Sequence, residues 1–177
     1  MRIELWVGRA LLALTMCGVA LAAESQPCRI SPLPPNVEFY PRDLEARIMR
    51  IYERSPTFRS QCARMKDAGY LRVVVVIDAA IPSYCRAFSV IQRQGDWIRA
   101  KVHLPPSTDH SELLAHEFEH ILEQMEGLDL RTLARLKGSG VREVRYDVYE
   151  SDRAQSAGRI VVGETSGRQR NAERAGD

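Results

Sequence analysis

The chain has 177 residues, and its 25 lysine and arginine residues nearly balance 23 aspartate and glutamate residues, for a formal net charge of +2 at pH 7. This balance excludes the strongly basic class of protein, so we expect no nucleic acid partner and no attraction to an anionic membrane. The length suits one domain with a real hydrophobic core and is too short for two ordinary domains.

The N-terminus has the pattern of a secretory signal peptide. Two arginines precede or begin an apolar run over residues 10–21, and the small residues Ala22 and Ala23 follow it. This pattern predicts a signal peptide over residues 1–23, with an uncleaved N-terminal anchor as the alternative. The run is short for a membrane span, and no later segment is apolar enough to be one. We therefore expect an exported protein, periplasmic or secreted, with no stable membrane span after signal removal.

Three cysteines remain after such a cleavage, namely Cys28, Cys62 and Cys85. In an oxidising compartment an odd number suggests one disulfide and one spare thiol. We predict a disulfide between Cys62 and Cys85, because Cys28 lies in a proline-rich segment outside the predicted elements. No two cysteines have the short spacing of a cysteine-ligated zinc site.

The first predicted elements are a lead-in and two helices. Residues 24–42 are rich in proline and are predicted to form an extended lead-in over the domain surface. Asp43 begins a pattern of apolar residues with helical spacing. A second helix is predicted from Ser55, a favourable N-cap, with Pro56 at its first position.

A strand and a hairpin follow. The run Leu71–Ile77 is short and β-branched, which predicts a central strand buried on both faces. Residues 85–93, a turn at Gly95 and the alternating segment Trp97–Leu104 predict a β-hairpin with one face toward the core. Together with the helices, these strands predict an α+β domain over residues 43–162 with a small mixed sheet.

The next segment contains the sequence His116-Glu117-Phe118-Glu119-His120, an H-E-x-x-H motif. On a helix the two histidines lie one turn apart on the same face, so both can bind one zinc ion. Glu117 would lie beside the open coordination position and act as general base. Zinc suits this chemistry because it lowers the pKa of bound water from about 15.7 to about 7.

A chance match is the alternative interpretation of a motif with three fixed letters. The flanking residues argue against it, because they are apolar at helical spacing and burial of two histidines and a glutamate without a task would be costly. Asp109 and Glu112 have the spacing of a capping box, and Gly127 is a plausible helix end.

A catalytic zinc site needs a third protein ligand. A nearby third histidine is excluded, because glutamates occupy positions 123 and 126. His103 and His110 precede the motif, and each is more often a surface histidine than a ligand. The remaining candidates are acidic residues that follow the motif.

The favoured third ligand is Glu150. A last helix is predicted over residues 145–162, and Glu150 lies near the middle of its apolar face, where a carboxylate needs a partner. Asp147 and Asp129 are alternatives, although Asp129 is better explained as a helix cap. A buried salt bridge from Glu150 to Arg153 would be the non-metal explanation. Residues 163–177 are polar and are predicted to be a disordered tail.

The motif helix, followed by a candidate glutamate ligand, resembles the gluzincin type of zincin zinc metallopeptidase. This resemblance implies that His116, His120 and Glu150 bind zinc, that Glu117 is the catalytic base, and that Trp97–Leu104 is the edge strand that binds an extended peptide. Glu119 departs from the family, which usually has an uncharged residue there. The family's oxyanion-stabilising residue has no assigned equivalent in this sequence, and the candidates are Tyr146, Tyr149 and Arg153.

The sequence thus predicts a small exported zincin-like domain that binds Zn2+ and cleaves peptide bonds in a peptide or protein substrate. One rival is a catalytically inactive zincin-like protein that binds metal or a partner. Another is an amidase that acts on cell-wall peptide. The oligomeric state stays open.

Overall fold

A computed structural model describes residues 31–175, with side chains described as far as residue 167. The predicted signal peptide and the start of the lead-in fall outside these residues, as does Cys28. Within the described part of the chain, no helix is long and apolar enough to cross a membrane.

The described residues form a mixed α+β fold, as the sequence predicts. The elements in chain order are β1 (Val37–Tyr40), α1 (Arg42–Arg54), α2 (Pro56–Lys66), β2 (Leu71–Ile77), β3 (Phe88–Gln94), β4 (Trp97–Leu104), α3 (Ser111–Met125), α4 (Leu130–Leu133), β5 (Val141–Arg145), β6 (Val148–Ser151) and α5 (Asp152–Ala175). Strand β1 lies within the segment predicted to be an extended lead-in.

Strands β1 to β4 form one mixed sheet in the order β1-β2-β4-β3 among the described residues. Strand β2 is central, as predicted, and pairs in parallel with β1 and β4. The predicted hairpin is also confirmed, because β3 and β4 pair antiparallel. The predicted burial of β2 on both faces is wrong: Leu71, Val73 and Val75 are buried, whereas Arg72 on the other face is exposed. The apolar core therefore lies on one face of the sheet.

The predicted edge strand is also wrong. Strand β4 (Trp97–Leu104) is hydrogen-bonded to β2 on one side and to β3 on the other. In the described part of the chain, the outer strand next to β4 is β3, because it pairs only with β4. A peptide that extends this side of the sheet would therefore pair with β3.

Side-chain capping explains where α2 and α4 begin. The Ser55 hydroxyl accepts a hydrogen bond of 2.9 Å from the Phe58 amide at the start of α2. At the start of α3 the N-cap is His110, and the Asp109 carboxylate accepts from the amide and hydroxyl of Ser111, so the predicted capping box does not form. Asp129 caps α4 through the Thr132 amide, as predicted.

The segment predicted as a last helix from residue 145 begins instead as a two-stranded hairpin. Strands β5 and β6 pair antiparallel, and Asp147 between them adopts a left-handed φ of 57°. Helix α5 then begins at Asp152, where the Ser151 hydroxyl accepts from the Ala154 amide at 3.0 Å. The prediction failed at its start because a turn residue and strand pairing outweighed the helical spacing of apolar side chains.

The predicted disordered tail is also corrected, because α5 continues past Gly163 to Ala175. The Glu164 carboxylate accepts hydrogen bonds from the Ser55 hydroxyl and, at 2.9 Å, from the Thr57 hydroxyl. Thr165 is buried. These contacts tie the second half of α5 to the start of α2.

The predicted disulfide between Cys62 and Cys85 is wrong, since both are free thiols. Cys62 lies on α2 and packs into the apolar core. Burial raises the pKa of its thiol to about 12. Cys85 is half-buried in the loop before β3, where burial and then the Glu117 carboxylate raise the pKa of its thiol. The two cysteines thus occupy separate environments.

Candidate metal centre

Helix α3 is fixed in place by its apolar face. Leu114, Ile121 and Leu122 are buried in the core, and the ring of Phe118 stacks on that of Phe58 with centroids 5.5 Å apart. This packing leaves the motif histidines on a different face of the helix. The local sequence therefore determines both that α3 is a helix and how it is rotated.

The two motif histidines lie side by side on α3. The ring centroids of His116 and His120 are 4.9 Å apart, and the rings are nearly perpendicular at 81°. His120 is buried and His116 is partly buried. The i, i+4 spacing has therefore brought two imidazoles to one location, as the sequence predicts.

Glu150 lies between the two imidazoles. Its Oε1 atom is 3.4 Å from His116 Nε2 and 3.5 Å from His120 Nε2. The ligand atoms of the three residues lie within 4.8 Å of one another. Two ligand atoms each about 2.0 to 2.1 Å from a tetrahedral zinc ion are separated by about 3.3 to 3.4 Å. The donor set and the two separations from Glu150 Oε1 therefore fit a zinc ion.

Glu150 reaches this place from strand β6, and not from the helix that the sequence predicts. The adjacent start of α5 lies close to α3 because small residues face it. A Cβ atom on Gly158 would be 2.9 Å from the carbonyl oxygen of Glu112. Ala154 and Ala157 on the same helix are also small and buried.

A buried polar chain supports His120. Its Nδ1 atom is 2.8 Å from Glu123 Oε2, and the Ser151 hydroxyl donates to Glu123 Oε1 at 2.6 Å. Glu123 is only 1% exposed. A carboxylate on Nδ1 directs Nε2 of the same ring toward a metal, as is common for histidine ligands. This role was not predicted from the sequence, although Glu123 follows His120 by three residues on the same helix.

The three ligand candidates differ in their protonation. Burial lowers the pKa of His116, which favours the neutral form that binds metals. Burial alone would also lower the pKa of His120, but hydrogen bonds to the Glu123 and Glu150 carboxylates outweigh it and raise this pKa to about 10. Burial opposes ionisation of Glu150, yet the two histidines lower its pKa overall. The carboxylates around His120 therefore stabilise a positive charge at this place, and metal binding there would release the proton of His120.

Glu117 is buried beside this cluster, with 4% of its surface exposed. The hydroxyl of Ser89, on strand β3, donates a hydrogen bond to Glu117 Oε2. Burial raises the pKa of Glu117, although the bond from Ser89 acts in the opposite direction. A carboxylate with a raised pKa is suited to accept and return a proton.

Glu119 makes its contacts with other parts of the fold. Its carboxylate accepts hydrogen bonds from Gln61 Nε2 at 2.7 Å and from Arg153 Nε at 2.6 Å. Arg153 also binds Glu126. The charge of Glu119 is thus compensated away from the histidines, and the alternative salt bridge between Glu150 and Arg153 does not form in the described residues.

The other acidic and histidine candidates have different partners. His103 Nδ1 is 2.8 Å from Asp78, and Asp147 binds Arg131 at 2.6 Å. His110 Nε2 is 3.0 Å from the Pro105 carbonyl oxygen. Asp129 caps α4, as stated above. None of these candidates joins the His116 cluster in the part of the chain that the structure describes.

The three residues proposed to stabilise an oxyanion are exposed or are bound to residues outside the metal centre. Tyr146 is 92% exposed at the end of the β5–β6 hairpin. The Tyr149 hydroxyl accepts from Arg131 Nε at 3.2 Å, and Arg153 is bound to Glu119. The structure therefore assigns none of the three to an oxyanion-binding role.

No family model matches the chain, and neither a curated protein nor a solved structure matches it. The likeness to zincins accordingly rests on the H-E-x-x-H helix and on the geometry of the three candidate ligands.

Proposed function

We propose that this protein is a zinc-dependent, zincin-like hydrolase that cleaves peptide bonds. The observation that carries the proposal is the placement of Glu150 Oε1 at 3.4 and 3.5 Å from the Nε2 atoms of His116 and His120. These separations match two edges of a tetrahedral zinc site. Ion pairs without a metal would not need both imidazoles to share one carboxylate oxygen.

The zinc ion, when bound, supplies Lewis-acid chemistry that polarises a carbonyl group and activates a water molecule. Glu117 acts as general base and then as general acid, because it follows the first ligand directly and burial raises its pKa. Ser89 orients the Glu117 carboxylate through its hydrogen bond. Glu123 and Ser151 hold the His120 ring.

The substrate we propose is an extended peptide that adds to strand β3. This strand is the outer one next to β4, and it carries Ser89, whose hydroxyl contacts Glu117. A peptide that pairs with a sheet edge gains main-chain hydrogen bonds and aligns its own peptide bonds along the strand. Pairing with β3 would therefore bring a peptide bond close to the proposed base.

The N-terminal pattern supports export of this activity to the periplasm or the surroundings of the cell. Cell-wall peptide is then an accessible substrate as well as protein. The proposed chemistry at the metal is the same for both, so only the substrates tested can separate a protease from an amidase.

The experiment compares wild type with Glu117→Gln, and uses Glu126→Gln as the matched control on the exposed end of α3. Each protein is assayed with zinc on casein, a mixed peptide library and cell-wall peptides, and its zinc content is determined by elemental analysis. We expect Glu117→Gln to keep stoichiometric zinc and to lose at least about 100-fold in hydrolysis, since acid–base catalysis contributes about 10² to 10⁴. Glu126→Gln should retain activity.

Two outcomes contradict the proposal. Zinc-loaded wild type that cleaves none of these substrates would favour a metal-binding protein without turnover. Undiminished hydrolysis by Glu117→Gln would show that another residue moves the proton.

A further inference from the structure

A second polar site lies at the other end of the motif helix. A cavity of about 280 Å³, open to solvent, is lined by α1, the residues that start α3, and α5. Its charged lining comes mainly from Arg47, Arg50 and Arg54. We propose that this cavity binds a small oxyanion of the phosphate type, one that carries both negatively charged oxygens and a hydroxyl group.

The arginines in the cavity lining have few acidic partners. Arg47, Arg50 and Arg54 follow one another at helical spacing on α1, where like charges destabilise the helix unless they are neutralised. Neither Arg50 nor Arg54 has an acidic partner in the part of the chain that the structure describes. Arg47 pairs at 3.4 Å with the exposed carboxylate of Asp43 and donates to the Ser107 carbonyl oxygen at 2.9 Å, but its buried Nε atom has no partner among the described residues. The lining thus holds donors that an oxyanion would satisfy.

The start of α3 adds positive electrostatic potential to the cavity. This helix has 15 residues, so its N-terminus carries the positive end of a substantial dipole. The N-cap His110 makes no side-chain capping bond. Asp109 is the one acidic residue in the lining, and its Oδ1 atom already accepts from the amide and hydroxyl of Ser111. The balance of charge in the cavity is therefore positive.

His110 is the observation that identifies the kind of anion. It is 2% exposed, and its Nε2 atom is 3.0 Å from the Pro105 carbonyl oxygen. A carbonyl oxygen can only accept, so Nε2 carries the hydrogen. Burial lowers the pKa of His110, which favours the neutral ring. The other nitrogen, Nδ1, is then an acceptor, and it is buried without a partner in the described residues.

A ligand that satisfies both halves of this site must accept from arginine and donate to Nδ1. Hydrogen phosphate ions and singly charged phosphate monoesters have the required hydroxyl group. Sulfate has the same shape and no hydroxyl hydrogen at neutral pH, and chloride has neither. Small hydroxyl side chains complete the lining from α5, through Thr165 and Ser166. The chemistry therefore favours phosphate over sulfate.

The experiment is calorimetric titration of the full-length protein at pH 7 with inorganic phosphate, sodium sulfate and sodium chloride at constant ionic strength. Glycerol 3-phosphate is a fourth arm, which distinguishes a phosphate ester from the free ion. We expect one phosphate or phosphate ester per chain and weaker binding of sulfate. Arg50→Gln/Arg54→Gln should weaken phosphate binding by at least about tenfold, because hydrogen bonds to charged groups are among the strongest.

The matched control is Arg135→Gln/Lys137→Gln, which removes two exposed positive charges from the loop after α4. It changes the net charge by the same amount as Arg50→Gln/Arg54→Gln. It should bind phosphate as wild type does. Equal affinity for sulfate and phosphate in wild type would overturn the role of His110. Undiminished phosphate binding by Arg50→Gln/Arg54→Gln would place the anion elsewhere, for example at the metal centre. The absence of phosphate binding in wild type would also refute the site.

Discussion

Glu123 offers a direct test of how the fold holds the metal ligands, because it is buried and touches no position where a metal would bind. Its Oε2 atom accepts from His120 Nδ1 at 2.8 Å, and its Oε1 atom accepts from the Ser151 hydroxyl at 2.6 Å. Ser151 follows the ligand candidate Glu150 directly. Replacement of this carboxylate therefore loosens His120 and, through Ser151, the strand that carries Glu150.

The expected magnitude follows from the kind of bond that is lost. Loss of such a supporting carboxylate typically costs about 10- to 100-fold in metal affinity, or about 1.4 to 2.7 kcal/mol. Glu123→Gln keeps an acceptor for His120 but makes the bond neutral, and neutral hydrogen bonds have roughly half the strength of charged ones. We therefore expect about tenfold weaker zinc binding for Glu123→Gln and about 100-fold for Glu123→Ala.

The assay is a zinc titration against a competing chelator, with the unfolding free energy of each zinc-free variant measured in parallel. Glu126→Gln is the control, since Glu126 is the C-cap residue of the same helix and pairs at the surface with Arg153. Exposed pairs contribute about 0 to 1 kcal/mol, so its zinc affinity should stay within about threefold of wild type. Wild-type zinc affinity in Glu123→Ala, with that variant folded, would refute the reasoning.

Other predictions concern the ligand set, the helix packing and the cysteines. Glu150→Gln should lose at least about 100-fold in zinc affinity, whereas Asp147→Asn should keep wild-type affinity; a large loss in Asp147→Asn alone would move the third ligand. Gly158→Ala should destabilise the protein by about 1 to 3 kcal/mol in urea unfolding, because the new Cβ would be 2.9 Å from a backbone oxygen of α3. Gly163→Ala on the same helix has open space around it and should stabilise by about 0.5 to 1 kcal/mol. The opposite order would show that α5 does not pack closely on α3. Cys62, whose pKa burial raises to about 12, should react with a maleimide only in denaturant, and rapid labelling of the native protein would contradict its place in the core.

The parts of the fold that the sequence predicts well depend on local signals. Ser55 and Pro56 define the start of α2, and the alternation of apolar residues defines the strand Trp97–Leu104. The pairing partners of these strands depend on distant residues, so the sequence did not show that β4 has neighbours on both sides.

Glu150 shows how a site residue can be selected from an incorrect element. Apolar residues that recur at helical spacing predicted a helix at this position, whereas Glu150 lies on strand β6. Glu150 was still selected correctly as a partly buried carboxylate, because a carboxylate flanked by apolar residues is directed inward on a helix or a strand and needs a partner. The turn at Asp147, with its φ of 57°, could not be deduced from that spacing.

The role of Glu123 and the free state of Cys62 and Cys85 could not be predicted from the sequence for a related reason. Glu123 follows His120 by three residues, but only the position of Ser151 on another element explains why both carboxylate oxygens are satisfied. The number of cysteines does not show the direction in which each thiol points. Cys62 is directed into the core, so it forms no disulfide with Cys85.

The central claim is that His116, His120 and Glu150 bind one zinc ion, and anomalous scattering at the zinc absorption edge tests it most directly. Crystals of the zinc-loaded protein should show one strong peak per chain, within about 2.0 to 2.2 Å of His116 Nε2, His120 Nε2 and a Glu150 carboxylate oxygen. A peak at other residues, or no peak from protein that is saturated with zinc in solution, would contradict the account.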